Sequence, residues 1–337
     1  MASESKRIDI ALSSDLRFYP GLLVTACSIA QHADRNYELF FHVLDGGIGE
    51  DNRCDLQDRI ARLHPNVVLD WQVVDTELLA KLPEWRGCGK MTWARLLLPN
   101  LFPSVNWMLY VDVDFFCMGD VVQLWRMRDP QYALMSALDC WPLTMPSESF
   151  WFKKNGRIYK ADKYFCAGFC FFNLEKIRRE GLDALFADII RKNESFPCVD
   201  QSVLNLAFVD RCDLRILPRK WQTFTRDIQE SEFAEKPFIH FAGEAPWVCF
   251  RINKIFDDAS LFWFRWYSKL CGLTLWQALR RFYSAREIIL YRGLYLIFSR
   301  SKMMLSLLHG YFRMIHHEES IVIYDALLHR VRYPRVD

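Results

Sequence analysis

Ile8-Asp9-Ile10-Ala11-Leu12-Ser13-Ser14-Asp15 sets the expected fold of this chain. Residues 8–12 form a short apolar run that reads as a buried strand. The polar turn Ser13-Ser14-Asp15 follows, and from Leu22 to Ile29 the apolar residues recur at helical spacing. Strand, polar turn, helix is how a doubly wound α/β domain opens. Such sheets bind ligands beyond the carboxyl ends of their strands, where Asp15 falls. Further along, 38–44 (ELFFHVL) reads as a second strand closed by Asp45-Gly46-Gly47, 50–63 as a helix and 67–74 as a third strand. A helix is expected over 91–98, ended by Pro99, with strands at 105–111, 132–138 and 168–173. The alternation predicts an α/β fold: a mixed, mostly parallel sheet flanked by helices.

The 337 residues, 51% hydrophobic and 25% charged, suffice for one large domain with an appendage or for two modest domains, and they exclude global disorder. A net charge of +2 is too small for a protein that coats nucleic acid, so no nucleic-acid partner is expected. The eleven cysteines contain no C-x-x-C pair, which argues against a zinc ribbon and fits a reducing cytosol. The opening MASESKRIDIALSS has no apolar run after its basic residues, so it does not read as a secretory signal, and the sequon at Asn193 carries no weight. The most apolar stretch, Ile288 to Phe312, is interrupted by Arg292, Arg300 and Lys302, so a spanning helix is not expected.

After residue 254 the texture changes. Residues 261–337 carry twelve Lys/Arg against five Asp/Glu, a net +7 that leaves about −5 for the remainder. Two regions are therefore expected: a catalytic domain over 1–254 and a basic, aromatic, helical region over 255–337. Segments such as Phe262-Trp263-Phe264-Arg265-Trp266-Tyr267 suit a helix lying on anionic lipid, or a helical extension with solvated arginines. The pair His316-His317 fits a metal site or an exposed pair.

Three motifs carry chemistry. In Tyr110-Val111-Asp112-Val113-Asp114 an apolar strand ends in two carboxylates. Residues i and i+2 of a strand share a face, so Asp112 and Asp114 are expected to converge on one ion. Oxygen ligands with open positions suit Mn²⁺ or Mg²⁺, which commonly bind substrate phosphates, although two surface acids at a strand end look the same in sequence. In Phe238-Ile239-His240-Phe241-Ala242-Gly243 a strand presents a histidine before a glycine turn. That imidazole either completes a metal set or is a satisfied core histidine. Asp200-Gln201, ahead of an apolar helix, either face a cleft or supply an N-cap.

Together these segments resemble glycosyltransferase family 8, the retaining sugar-nucleotide transferases, and particularly the bacterial lipooligosaccharide galactosyltransferases. The resemblance runs over residues 7–250. It rests on IDIALSSD at 8–15, FHVLDGGI at 41–48, TWARLLLP at 92–99, YVDVDFF at 110–116, YFCAGFCFFNLEKIR at 164–178, DQSVLN at 200–205 and IHFAGEAPW at 239–247. It implies a single nucleotide-sugar domain of the GT-A type that binds a UDP-sugar and Mn²⁺. Asp112, Asp114 and His240 match the metal ligands. Asp15 matches the acid at the uracil or ribose, Arg95 an arginine near the diphosphate, and Asp139 and Asp200 the acceptors of sugar hydroxyls. Gln201 matches the side chain at the reacting face, so Gln201 and Asp200 form the implied catalytic pair. Val113, Cys166, Ala167 and Gly243 complete the implied donor-binding set.

The resemblance also implies a UDP-hexose donor and a glycan or glycolipid acceptor such as lipopolysaccharide core. The place of action would be the cytosolic face of the inner membrane, touched through the C-terminal region. Because Gln201 is a poor nucleophile, front-face attack is expected rather than a covalent double displacement. Two departures stand out: Cys166 replaces the family's asparagine, and 240–247 is one residue short and lacks the family's lysine, for which Arg251 or Lys254 are the nearby substitutes. The competing readings are a self-glycosylating primer of the glycogenin kind, with Tyr159 or Tyr164 as acceptor, and a degenerate UDP-binding protein without activity.

Overall fold

A computed structural model describes residues 6–83, 89–139, 145–225, 236–243, 245–247 and 258–290. Arg251, Lys254, His316, His317 and everything from Tyr291 onward lie outside the described residues. The chain divides into two compact units, Met1–Ala245 and Pro246–Asp337.

The first unit is built on β1 (Arg7–Ser14), β2 (Glu38–Asp45), β3 (Val67–Val73), β4 (Trp107–Val111), β5 (Phe115–Cys117), β6 (Leu134–Leu138), β7 (Phe165–Asn173), β8 (Leu214–Leu217), β9 (Thr223–Phe224) and β10 (Phe238–His240). Seven strands form one sheet in the order β3-β2-β1-β4-β7-β6-β8. All neighbours in it are parallel except β7, which runs antiparallel to both β4 and β6. β7 is buried along its whole length, as its near-continuous apolar run requires with a layer on each face. The helix Tyr19–His32, opened by Pro20 in its first turn, buries Leu22, Val24, Ala26 and Ile29 in the core. β1 and β4 are neighbours with Ala11 opposite Tyr110, so Asp15 and Asp112 leave the sheet at the same edge.

A second, three-stranded sheet in the order β5-β10-β9 delivers the histidine. Only Asp112–Asp114 separate β4 from β5, and β10 pairs antiparallel with β5, setting His240 opposite Phe115. The short strands β5, β8 and β9 had no sequence reading, because runs of two to four residues carry no usable period.

One expected element differs. Residues Lys90–Leu97 are a 3₁₀ stretch rather than an α-helix, and Pro99 does not end it but sits in the first turn of the short helix Leu98–Leu101. Proline lacks only an N–H that would be unpaired at that position, so it starts a helix as readily as it stops one.

The second unit has helices Asp258–Leu270 and Leu275–Arg280, the latter opened by a capping box between Thr274 and Gln277. Trp263 stacks on Tyr267 with centroids 5.1 Å apart and packs against Trp247, Phe264 and Phe282. Trp263, Phe264 and Tyr267 are buried, so half of the ring-rich 262–267 segment forms an aromatic core rather than a lipid-facing stripe. Trp276, Ile289 and Leu290 are the large exposed hydrophobics of this unit among the described residues. No helix among the described residues is long and apolar enough to cross a membrane.

Candidate active site

The site forms where the carboxyl ends of β1 and β4 meet β10. β4 ends at Val111, after which the Asp112 amide donates to Gly168 O at 2.7 Å and the Phe115 amide returns to Asp112 O at 3.3 Å. Asp112 and Asp114 therefore converge through a turn, not by sharing a strand face as their spacing predicts. A tight turn after a buried strand brings the two carboxylates together all the same.

Asp112 Oδ1 accepts from Arg95 Nη2 at 2.8 Å and from the Tyr110 hydroxyl at 2.9 Å. Asp114 Oδ1 is buried, lies 3.1 Å from His240 Nε2 and has no directed hydrogen bond. One ligand atom from each of Asp112, Asp114 and His240 fits within 4.8 Å of the others. A Cβ at Gly168 would stand 2.8 Å from Asp112 Oδ2, 2.8 Å from His240 Cε1 and 3.2 Å from His240 Nε2. An orphaned carboxylate oxygen beside a glycine-walled cradle of two carboxylates and an imidazole fits a Mn²⁺- or Mg²⁺-sized cation.

A register break between β6 and β7 builds the opposite wall. Ser136 pairs with Cys170 and Leu138 with Phe165, so β7 runs through Cys166, Ala167, Gly168 and Phe169 while β6 runs only through Ala137. The Ser136 hydroxyl lies 2.9 Å from Cys166 O and 2.7 Å from Phe169 O and holds the loosened strand. The freed peptide groups face the site: Ala167 O accepts from Arg95 Nη1, and the Ala167 amide donates to Gln201 Oε1 at 2.9 Å. Gln201 Nε2 in turn donates to Asp139 Oδ2 at 2.9 Å and lies 3.3 Å from the Tyr164 hydroxyl. Both ends of the Gln201 amide are thus fixed.

Arg95 is buried with its guanidinium 4.5 Å from the Tyr110 ring centroid. Burial alone would weaken its charge, but Asp112 and Asp200 more than offset that and hold it fully protonated. Asp200 Oδ2 lies 2.9 Å from Arg95 Nε as an ion pair, while the Nε hydrogen is donated to Thr92 O. Burial pushes the Asp200 carboxyl up to about 6, with Arg95 opposing the rise.

Asp200 does not cap its helix, Val199–Phe208: Cys198 holds the cap position and no side chain caps it. Val199, the residue before Asp200, has φ 43°, a left-handed conformation that costs a β-branched side chain energy. Buried Glu148 braces this helix start by accepting from Ser202 Oγ at 2.5 Å and from the Tyr164 hydroxyl at 2.8 Å.

Asp15 accepts from the Phe18 amide at 3.1 Å, capping the 3₁₀ turn Leu16–Phe18. Cys166 is buried, with Sγ 3.9 Å from His240 Nδ1, and burial keeps it a neutral thiol. The residues named from the sequence as donor or metal contacts, Asp15, Arg95, Asp112, Val113, Asp114, Asp139, Cys166, Ala167, Asp200, Gln201, His240 and Gly243, line one cleft; Tyr159 and Tyr164 are not among its lining residues. Sequence reasoning missed Gly168, Tyr110 and Glu148. A glycine inside an aromatic strand was a usable signal for the first. Glu148 gives none, because its contact with Ser202 spans 54 residues.

Comparison with known proteins follows the same lines. The family model described as Glycosyl transferase family 8 matches residues 9–248. General stress protein A of Bacillus subtilis (strain 168) is 25% identical over 240 residues, covering 65% of this chain and 80% of that protein. Among solved structures, the galactosyltransferase LgtC, determined with donor and acceptor sugar analogues, superposes with a TM-score of 0.61 at 22% identity, covering 79% of this chain and 96% of LgtC. The bifunctional glycosyltransferase WbbM superposes with a TM-score of 0.62 at 21% identity over 80% of this chain, which spans 50% of the WbbM chain. At these identities the two structures establish the mixed α/β fold.

Proposed function

Because the chain belongs to glycosyl transferase family 8, we propose that it is a retaining hexosyltransferase that moves galactose or glucose from a UDP-sugar to a glycan acceptor. The acceptor class is lipopolysaccharide or lipooligosaccharide core, or another lipid-linked saccharide. One observation carries the reading. Among the described residues, the charged side chains lining the cleft are the acids Asp15, Asp112, Asp114, Asp139 and Asp200 and one base, Arg95. A divalent cation offsets the repulsion between these carboxylates and an entering diphosphate, and Asp112, Asp114 and His240 would hold it.

Bound Mn²⁺, or Mg²⁺ in its place, supplies a Lewis acid for the charge that develops on the leaving diphosphate. The remaining work falls to the chain. Asp15 receives the uracil–ribose end of the donor, with Val113, Cys166, Ala167 and Gly243 forming walls of its pocket. Asp139 and Asp200 accept hydrogen bonds from sugar hydroxyls. Arg95 adds a fixed positive charge beside the diphosphate. The Gln201 amide, clamped between Ala167 and Asp139, is no nucleophile, and it leaves the reacting face open for front-face attack with a donor phosphate oxygen taking the acceptor proton. Tyr164, whose hydroxyl is spent on buried Glu148, is poorly placed as a self-glycosylation acceptor.

The test is UDP release across a panel of UDP-sugars, with Mn²⁺, with chelator and with Asp112→Ala, in the presence of glycolipid extract. Turnover of one UDP-hexose is expected, lost on chelation and in the variant. Turnover indifferent to both would sink the reading. We assign residues 1–254 to catalysis and 255–337 to contact with the cytosolic face of the inner membrane. The net +7 of 261–337 and exposed Trp276, Ile289 and Leu290 support the second assignment. Salt-reversible sedimentation with anionic vesicles checks it, and equal sedimentation with neutral vesicles would count against it.

The Asp200 carboxyl sets an acid limit. Ionised, it is a markedly stronger acceptor for a sugar hydroxyl than when protonated, so kcat/KM should fall as pH drops through about 6. A bound divalent cation moves that midpoint lower. Because the folded carboxyl is raised above its unfolded value, protonation of this group favours the fold, and Tm should not fall with activity through the same window. A cation-loaded rate profile that stays flat as pH falls from 7 until the protein unfolds would remove Asp200 from the reaction.

A further inference from the structure

His240 meets the cradle with Nε2, 3.1 Å from Asp114 Oδ1. An imidazole offers a lone pair at Nε2 only if its proton sits on Nδ1, and that proton then needs an acceptor. Among the described residues two side chains reach Nδ1 within hydrogen-bond distance: Cys166 Sγ at 3.9 Å and the Gln222 amide nitrogen at 3.3 Å. A thiol is a weak acceptor. Gln222 is 1% exposed, and its Oε1 is buried without a partner. It stands between the 3₁₀ turn Arg219–Trp221 and β9, whose parallel pairing sets Phe224 opposite His240.

The amide's two ends differ only in which atom is nitrogen. With nitrogen toward His240, the ring must accept at Nδ1 and carries its proton at Nε2, facing the cradle. With oxygen toward His240, the proton rests on Nδ1 and Nε2 is open. We propose that Gln222 is the positioning residue of the divalent-cation site: its Oε1 accepts the Nδ1 proton of His240 and so presents Nε2 to the metal. The inference rests on the reading of Asp112, Asp114 and His240 as cation ligands. It adds a buried amide, outside the motifs, that fixes which tautomer the site uses. Phe115, stacked on the ring at 4.1 Å, fixes the plane of the imidazole but not its proton.

The test is Mn²⁺ binding to the full chain, read by electron paramagnetic resonance and calorimetry without donor or acceptor. Gln222→Leu removes the acceptor and should weaken Mn²⁺ binding about 10- to 100-fold. Gln222→Glu keeps an acceptor and should bind as wild type or tighter. Should Gln222→Leu not fold, Gln222→Met serves in its place. The nitrogen chemical shifts of ¹⁵N-labelled His240, read in the Mg²⁺-loaded protein, should report a proton on Nδ1 in wild type and Gln222→Glu. Wild-type affinity in a folded Gln222→Leu or Gln222→Met would overturn the proposal alone. So would equal losses in the Leu and Glu variants. Absence of Mn²⁺ binding by the wild type would instead overturn the underlying metal site, and Asp112→Ala marks what that absence looks like.

Discussion

Gly168→Ala should abolish cation binding and, with it, sugar transfer, while leaving the protein folded. The backbone at Gly168 is not in the left-handed region, so alanine fits the conformation. It does not fit the space. Its Cβ would press on Asp112 Oδ2 and on the His240 ring, each 2.8 Å away, closer than real Cβ contacts come. Neither neighbour can retreat freely. Asp112 is tied to Arg95 and Tyr110 through Oδ1, and His240 stacks on Phe115. The methyl group therefore takes the volume of the cradle itself. A Lewis acid contributes several kcal/mol to a transition state that releases diphosphate. Since about 1.4 kcal/mol is tenfold in rate, the expected loss is on the order of a thousandfold. Mn²⁺ affinity, turnover and Tm measured together decide it: a folded Gly168→Ala that binds Mn²⁺ like the wild type would show that the cation sits elsewhere.

Arg95→Met should lower both stability and activity. The guanidinium is the one cationic side chain lining the cleft among the described residues, and it lies against Asp112 and Asp200 while donating to the Ala167 carbonyl. Removing one partner of a buried ion cluster leaves the others uncompensated, at a cost of about 3–5 kcal/mol. For a unit of this size each kcal/mol moves Tm by about 2–4 °C, so a drop of roughly 10 °C is expected. Adding Asp200→Asn to Arg95→Met should recover part of that drop by removing one stranded carboxylate. Arg95→Lys should fall between, because a point charge cannot serve three acceptors from one planar fork. A wild-type Tm in Arg95→Met would show that the cluster is not a stabilising element.

Much of this was readable in the chain. The buried strands β1, β2 and β4 announce themselves as apolar runs, and the polar breaks after them mark the sheet edge that carries Asp15 and Asp112. What could not be read were arrangements made by pairing between distant segments. The turn that converges Asp112 and Asp114 depends on a hydrogen bond to Gly168. At the register break of β7 stands Ser136, whose bonds to Cys166 and Phe169 some thirty residues on leave no mark in the local sequence. Gln222 gains its meaning only when β9 and β10 lie side by side. Local pattern reports which residues are buried or turned; it carries no record of which strand will lie alongside.

The segment 166–169 has a consequence for how such a protein changes over generations. Ala167 holds Arg95 and Gln201 through its carbonyl and its amide, and a peptide group is the same whatever side chain it carries. Among small residues other than proline, exchange at this point leaves both anchors in place. Losing or gaining one residue between 166 and 169 would unseat both together. At position 167 variation is tolerated as spelling but not as length, whereas Gly168 beside it tolerates neither. A library aimed at altering donor choice is therefore best built on side chains such as Cys166 and Asp139, with the residue count of the segment held constant.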